Sequence, residues 1–221
     1  MEPNVISLDK ITKSYDTQKV LDEVVLDIAR GDFIAVMGES GAGKSTLVKI
    51  LALLEQPDSG EYKLFGDTVS GIPINKASRC RRRSMNIIFQ TYNLFEELSV
   101  YENLSVYLKL CNEVSRNMDA SIKAVANALK MQDNLYKKVS VLSQGEKQRV
   151  AIARSLLTDK KLILADEPTA SLDKDNRDTI IQILSEANSR GDTVVVVTHD
   201  YEYLKFATRK YYLASGKMSE I

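Results

Sequence analysis

The spacing of apolar and polar residues divides the chain into three stretches of different character. In the first, up to residue 66, short segments alternate between apolar and polar positions, as half-buried strands do. Residues 46–54 interrupt them with a segment that is apolar on every side, which predicts a helix buried between layers. Strands are predicted at residues 5–8, 20–28, 33–37 and 61–65.

The middle stretch, about residues 91–160, has apolar residues three and four positions apart and is predicted to be a helical subdomain. The last sixty residues return to short apolar runs, at 162–165 and 194–197, which suit central parallel strands covered on both faces. The pattern therefore predicts an α/β fold with a mostly parallel sheet. Helices are predicted at 101–110, 118–131, 144–157 and 176–187, with a further strand at 86–89.

Composition and charge exclude several classes of protein. The 221 residues are 44% apolar and 27% charged, as in ordinary globular domains, and 30 basic residues balance 30 acidic ones. A neutral molecule has no overall field for nucleic acid or an anionic membrane, so we expect no nucleic-acid partner. Cys80 and Cys111 lack the spacing of a zinc or redox motif and are predicted to be reduced thiols. The chain has neither a basic leader followed by an apolar stretch nor an apolar run of about 20 residues, so we expect no membrane insertion.

A glycine-rich segment between the strand at 33–37 and the apolar helix fits the pattern G-x-x-x-x-G-K-[ST]. In this context the backbone curls so that successive N–H groups point at a phosphate, and the helix N-terminus adds its positive end. Lys44 is predicted to reach the β- and γ-phosphates, and Ser45 to bind Mg²⁺. The loop consists of Gly38, Glu39, Ser40, Gly41, Ala42, Gly43, Lys44 and Ser45, and Thr46 follows it.

Two carboxylates, Asp166 and Glu167, end the apolar strand at 162–165. The C-terminal ends of parallel strands meet at one edge of the sheet, so Asp166 is expected near the phosphate loop. Asp166 is then a candidate to hold the metal, and Glu167 to act as general base toward the reacting water. The alternative is a strand that simply ends in a polar turn.

His199 and Gln90 follow other strands and are expected at the same edge. His199, the only histidine, could hydrogen-bond the γ-phosphate or orient the water, although a lone histidine is often structural. The Gln90 amide could bind Mg²⁺ or the attacking water, and its spacing alone does not decide between this role and an ordinary strand end.

Residues 142–149, with the sequence LSQGEKQR, resemble the signature of the ATP-binding-cassette (ABC) family. The phosphate loop, Gln90, the signature, Asp166 with Glu167, the segment Ser171–Leu172–Asp173 and His199 occur in the family's order, and the resemblance covers nearly the whole chain. It implies a P-loop NTPase (RecA-like) core with an N-terminal antiparallel β subdomain, in a single nucleotide-binding domain over residues 1–221. It also implies binding of ATP with Mg²⁺, and ATP hydrolysis.

The signature begins a helix of about fourteen residues, so at 1.5 Å per residue it lies roughly 20 Å from the end that leads to Asp166. Ser143 and the adjoining backbone N–H groups are therefore expected to meet the γ-phosphate held by a second copy. The resemblance implies a head-to-tail, ATP-dependent homodimer in which Asp173 links the two sites. Gln144 and Glu146 depart from the usual Leu-Ser-Gly-Gly-Gln, whereas Gly145 is retained.

Tyr15 matches the family's aromatic residue that stacks on adenine, although a strand tyrosine is also a common core residue. Leu94, Phe95 and Leu98 are candidates for a groove that receives a helix of a membrane subunit, or for burial within the helical subdomain. The basic run at 79–83 is predicted to be a solvated, salt-bridged helix face.

The resemblance is closest to the group of macrolide-efflux, lipoprotein-releasing and bacteriocin-export ATPases. It implies an ATPase at the cytoplasmic face of the membrane that powers a separate transmembrane permease, with export of a peptide, lipid-linked or drug-like substrate. Alternatives are an importer ATPase, a regulatory module that acts on a membrane protein without transport, and a soluble member of the family in translation or chromosome maintenance. The last class carries two cassettes or long coiled-coil insertions, which this sequence lacks.

Overall fold

The computed structural model describes residues 4–111, 117–170 and 172–221, so Ser171 lies outside the described residues. It confirms the predicted α/β architecture with one mostly parallel and one antiparallel sheet. In chain order the strands are β1 (Ile6–Tyr15), β2 (Gln18–Ile28), β3 (Phe33–Gly38), β4 (Ser59–Leu64), β5 (Asp67–Thr68), β6 (Asn86–Ile88), β7 (Leu162–Asp166), β8 (Thr193–Val197), β9 (Arg209–Ala214) and β10 (Lys217–Glu220).

Six α-helices occur within the described residues. They are α1 (Lys44–Leu51), α2 (Ile74–Ser84), α3 (Val100–Cys111), α4 (Met118–Ala128), α5 (Gln144–Leu156) and α6 (Lys174–Ser189). None of them is long and apolar enough to span a bilayer.

The six-stranded sheet has the order β10-β9-β3-β8-β7-β6, and all neighbouring pairs except β9 and β10 are parallel. Its central strands β3, β7 and β8 are buried along their whole length, because helices or the second sheet cover both faces. The antiparallel sheet has the order β2-β1-β4-β5.

Alternate residues of β3 belong to two different hydrophobic cores. Ile34 and Val36 face a core shared with α1 and the antiparallel sheet, whereas Phe33 and Ala35 face a core shared with α6. A third core joins α3, α4 and α5. The layers thus hold the C-terminal ends of the parallel strands in fixed relative positions.

Several elements in the structure differ from those predicted from the sequence. β1 continues to Tyr15, which places this residue at the strand's end, and α1 ends at Leu51 rather than at residue 54. The strands β5, β9 and β10 were not predicted, because their sequences show no clear alternation of apolar and polar residues. β5 has only two residues, and β9 and β10 are the outermost two strands on one side of their sheet and have several exposed positions.

Candidate functional site

The parallel strands end level with one another, which brings the predicted residues to one edge. Val36 of β3 and Asp166 of β7 both pair with Val197 of β8. The neighbouring pair Ile88–Ala165 places Gln90 and Glu167, each two residues further on, beyond the same edge. The register alone therefore gathers the segments that follow β3, β6, β7 and β8.

The phosphate loop depends on glycine at two positions. Gly41 and Gly43 adopt φ values of +82° and +104°, which side-chain-bearing residues rarely take. A Cβ on Gly43 would also lie 2.6 Å from the carbonyl oxygen of Val20. α1 starts directly after Gly43 with no side-chain cap and no acidic residue in its first turn. Its first N–H groups are thus available to an anion.

Lys44 is held at the centre of this loop. Its Nζ donates to the carbonyl oxygens of Gly38 at 2.6 Å and Glu39 at 3.0 Å. The same Nζ lies 3.7 Å from Oε1 of Glu167, and both side chains are largely buried. The ammonium is therefore fixed between the loop and the carboxylate proposed as the base.

Glu167 adopts φ +46°, a conformation that is strained for a residue with a side chain. Its N–H donates to the Val197 carbonyl, which holds the residue in place. Oε2 lies 2.9 Å from Nδ1 of His199 and accepts a hydrogen bond of 3.1 Å from the Thr198 hydroxyl. The carboxylate is thus oriented by the segment after β8, while most of the His199 side chain remains exposed.

Asp166 does not reach the surface of the cleft. The residue is 9% exposed, and its Oδ1 has no hydrogen-bond partner in the described ranges of the chain. Burial, and then the Glu167 carboxylate, raise the pKa of Asp166 above its usual value. An unpartnered buried carboxylate oxygen fits a nearby cation. No cluster of three or more His, Cys, Asp and Glu side chains suited to a metal occurs among the described residues, so the ion would need ligands from elsewhere.

The loop and the strand ends enclose a cleft of about 660 Å³. This volume lies within the range of ligand pockets for small molecules of nucleotide size. Ala42 and Asp166 are not among its lining residues, nor are Ser143, Gln144, Gly145 and Asp173. The lining residues are Tyr15, Val20, Gly38, Glu39, Ser40, Gly41, Gly43, Lys44, Ser45, Thr46, Gln90, Glu167 and His199.

Tyr15 stands at one end of the cleft and is 41% exposed. Its hydroxyl donates to Oε2 of Glu55 at 2.7 Å, and the Lys13 ammonium lies 5.7 Å from the ring centroid. Burial, and then this hydrogen bond, raise the pKa of the phenol, which therefore stays neutral. A fixed, partly open aromatic ring can stack on a flat ligand.

The signature residues lie at the N-terminus of α5, outside this cleft. Ser143 and Glu146 form a capping box: the Ser143 N–H and hydroxyl each donate to Oε2 of Glu146 at 2.8 Å, and the Glu146 N–H donates back to the hydroxyl at 3.3 Å. The backbone hydrogen bond from Ser143, followed by that from its hydroxyl, holds the pKa of Glu146 below its usual value. Position 146 thus carries a negative charge at neutral pH.

The signature packs against the beginning of α6. A Cβ on Gly145 would meet the Asn176 side chain at 3.0 Å, so glycine allows this close approach. Asn176 in turn donates to both oxygens of Asp173, the N-cap residue of α6. Asn176 therefore contacts both Asp173 and Gly145. This connection could not be predicted from the sequence.

Two residues at the site were missed by sequence reasoning. Thr198 orients Glu167, and Val20 lines the cleft from β2. Thr198 could have been found, because it directly precedes His199 at a strand end. Val20 could not, since its contribution depends on how the antiparallel sheet packs over the loop.

Two further predictions lie elsewhere in the fold. Leu94 packs against the helical core, whereas Phe95 is exposed, so only part of the proposed groove is apolar surface.

The basic run lies on α2 as expected, but the prediction that it is salt-bridged is wrong. Among the described residues, no carboxylate forms an ion pair with Arg79 or with the arginines at 81–83. The reason is that α2 itself contains no carboxylate.

Comparisons with known proteins place the chain among nucleotide-binding cassettes. The family described as "ABC transporter" matches residues 21–170. "Macrolide export ATP-binding/permease protein MacB" of Bdellovibrio bacteriovorus is 40% identical over 216 residues, and that of Brucella melitensis is 37% identical over 218. These matches cover 96% and 97% of this chain but only 33% and 34% of the relatives, so the chain spans about a third of their length.

A solved structure extends the likeness to the whole fold. The dimeric, post-hydrolysis state of the ATP-binding cassette MJ0796 bound to ADP and Pi has a TM-score of 0.90 and 31% identity, over 97% of this chain and 98% of that one. The fold predicted from the signature is therefore confirmed.

Proposed function

The chain belongs to the ABC transporter family, and from this premise we propose that it binds and hydrolyses ATP as one half of a head-to-tail homodimer that drives a transmembrane permease. The observation that carries the proposal is the arrangement of Lys44, Glu167 and His199 around a single cleft beside the phosphate loop. A site that cleaves phosphate needs positive groups, here an ammonium and free N–H groups, to offset the phosphate charge. It also needs a carboxylate, here held by an imidazole, to accept a proton from water.

In the proposed complex the loop from Gly38 to Thr46 surrounds the phosphates and Tyr15 stacks on the adenine. The N–H groups at the start of α1 and the Lys44 ammonium offset the phosphate charge. Stacking on Tyr15 contributes about 1 kcal/mol and is tolerant of the base's identity.

We propose that Ser45, Gln90 and Asp166 are the residues that would hold Mg²⁺, directly or through water. These oxygen donors suit a hard divalent cation, and the unpartnered Oδ1 of Asp166 supports the assignment. When bound, the ion would neutralise charge on the phosphates.

Hydrolysis is proposed to begin with a water molecule near Glu167. This carboxylate accepts a proton as the water oxygen attacks the γ-phosphorus, the bond to the β-γ bridging oxygen breaks, and ADP and phosphate result. His199 and Thr198 keep the carboxylate oriented, and the exposed face of His199, with the Gln90 amide, contacts the γ-phosphate or the water. Lys44 offsets the charge that develops on the phosphate oxygens.

A second copy is proposed to complete each site with Ser143, Gln144 and Gly145. The position of these residues at the N-terminus of α5, outside the cleft of their own chain, supports this arrangement. Asp173, which is joined to Gly145 through Asn176, would transmit the state of one site to the other.

The proposed transport role is export of a peptide, lipid-linked or drug-like substrate. The MacB relatives, whose names combine an ATP-binding part with a permease, support a membrane partner. The chain is proposed to meet this partner at the cytoplasmic face of the membrane. Leu94, Phe95 and Leu98 are the proposed contact for that partner, and Phe95 among them is exposed.

The test is ATP hydrolysis by the purified chain, alone and reconstituted in vesicles with a candidate permease. We expect Mg²⁺-dependent phosphate release that Lys44→Ala abolishes, and stimulation when the permease is given a transported compound. Absence of hydrolysis under both conditions would refute the enzymatic proposal. Hydrolysis that the compound does not alter would instead favour a regulatory role.

A further inference from the structure

A second cavity, of about 180 Å³, lies between α2, the segment after β6, α3 and α5. None of its lining residues belongs to the lining of the nucleotide cleft. Of the twelve described residues that line it, four are basic and none is acidic: Arg81 and Arg82 come from α2, Arg154 from α5, and Lys160 from the segment before β7.

Within the described part of the chain, none of these four cations forms an ion pair with a carboxylate. Lys160 is 8% exposed, and among the residues that the structure describes its Nζ donates only to Oη of Tyr107 at 3.3 Å and to Sγ of Cys111 at 3.4 Å. The Arg154 guanidinium donates to the Tyr92 carbonyl oxygen, and its buried Nε has no hydrogen-bond partner among the described residues.

The neighbouring polar groups do not supply the missing negative charge. Burial raises the pKa of the Tyr107 phenol, which therefore stays neutral, and its hydroxyl donates to Asn86. Burial also lowers the pKa of the Arg154 guanidinium, with no carboxylate acting against this effect. Buried positive charge without a counter-charge is costly, and each of these cations retains capacity for an anionic acceptor.

We propose that this cation-lined cavity is a binding site for a small anion that carries a phosphate or carboxylate group, separate from the nucleotide site. Its volume is below the roughly 300 Å³ at which pockets for drug-sized molecules begin, which excludes a nucleotide. Two or more donors from Arg154, Lys160 and Arg82 can hold the oxygens of such a group.

The site also has a position from which it can influence the nucleotide cleft. Tyr92 follows Gln90 by two residues, and Arg154 lies on the signature helix α5, so their hydrogen bond joins the two segments across the cavity. An anion that binds both Arg154 and α2 would link α2 to α5 at the arginine that also holds the Tyr92 carbonyl.

The experiment titrates inorganic phosphate, and separately succinate, into the full chain by calorimetry. Saturating MgADP fills the nucleotide cleft throughout. We expect saturable binding of at least one anion, which weakens with added salt, and which Arg82→Gln with Lys160→Gln reduces by about tenfold or more. Binding of phosphate alone or succinate alone identifies the group that the cavity takes.

The matched control is Arg83→Gln with Lys161→Gln, which removes the same charge from the adjacent positions outside the cavity. This variant should bind as the parent does. Arg82→Gln alone, at an exposed position, serves if the Lys160 change prevents folding. Absence of saturable binding by the parent, or equal loss in the two double variants, would overturn the proposal. Neither result bears on ATP hydrolysis, since the inference does not depend on it.

Discussion

The edge of the six-stranded sheet and the beginning of α5 contribute the two halves of the proposed ATP site, and their polar groups are arranged differently. At the sheet edge, the N–H groups after Gly43 and the exposed part of His199 face an open cleft. At α5, Ser143 and Glu146 satisfy each other in a capping box. The first region is ready for a phosphate, whereas the second must exchange an internal hydrogen bond for a contact with the partner's nucleotide.

The largest effect is expected at the sheet edge. Glu167→Gln keeps the shape of the side chain but removes the proton acceptor, so ATP turnover should fall about 100-fold or more, whereas ATP binding is retained. Phosphate release and nucleotide affinity, measured on the same preparation, check this.

The control is Glu186→Gln, which removes a carboxylate from the exposed part of α6, away from the cleft. Its turnover should equal the parent's. If Glu167→Gln turned over ATP nearly as fast as the parent, the assignment of Glu167 as the general base would be wrong.

Tyr15 tests whether the same cleft recognises the base. Removal of the ring in Tyr15→Ala should weaken ATP binding about fivefold, equivalent to roughly 1 kcal/mol of stacking. Binding of tripolyphosphate, which has no base, should be unchanged. Equal losses for both ligands would show that Tyr15 supports the loop rather than the adenine.

Glu146 tests the other half of the site. Its carboxylate is negatively charged and close to the place proposed for the partner's γ-phosphate, so Glu146→Gln should reduce repulsion and strengthen ATP-dependent dimerisation roughly two- to fivefold. Sedimentation of Glu167→Gln chains with and without the second change measures this. Unchanged or weaker association would mean that the charge at position 146 does not oppose closure.

The smallest effect concerns stability and its pH dependence. Glu146→Gln removes the charge from the capping box and should lower the free energy of unfolding by about 0.5–1 kcal/mol at neutral pH. The folded-state pKa of Glu146 is lowered, so its contribution is complete above the usual glutamate range and is lost as the pH falls through the lowered pKa. The difference between the parent and Glu146→Gln, followed by denaturant unfolding, should therefore shrink below about pH 4. A constant difference across this range would contradict the capping role.

The residues at the C-terminal ends of the parallel strands could be predicted from the sequence, because each of them follows a short apolar run that is visible locally. The apolar runs before Gly38, Asp166 and His199 identify buried parallel strands, and the C-terminal ends of such strands share an edge. The loop pattern adds a backbone requirement for glycine, visible in the positive φ of Gly41 and Gly43.

Other features depend on contacts between distant segments and could not be read from the sequence. The approach of Gly145 to Asn176 and the cavity around Arg154 and Lys160 arise only when helices pack together. The alternation of apolar and polar residues in β9 and β10 is weak because these are the outermost two strands on one side of the sheet.

The most direct test of the two-chain site mixes two variants that we expect to hydrolyse ATP poorly when measured separately, Glu167→Gln and Ser143→Ala. In a mixed dimer, one site combines both defects, while the other joins an intact sheet edge to an intact α5 from the partner. We expect the mixture to hydrolyse ATP well above the average of the two variants measured separately. Hydrolysis equal to that average, although the chains associate in ATP, would contradict a site shared between two copies.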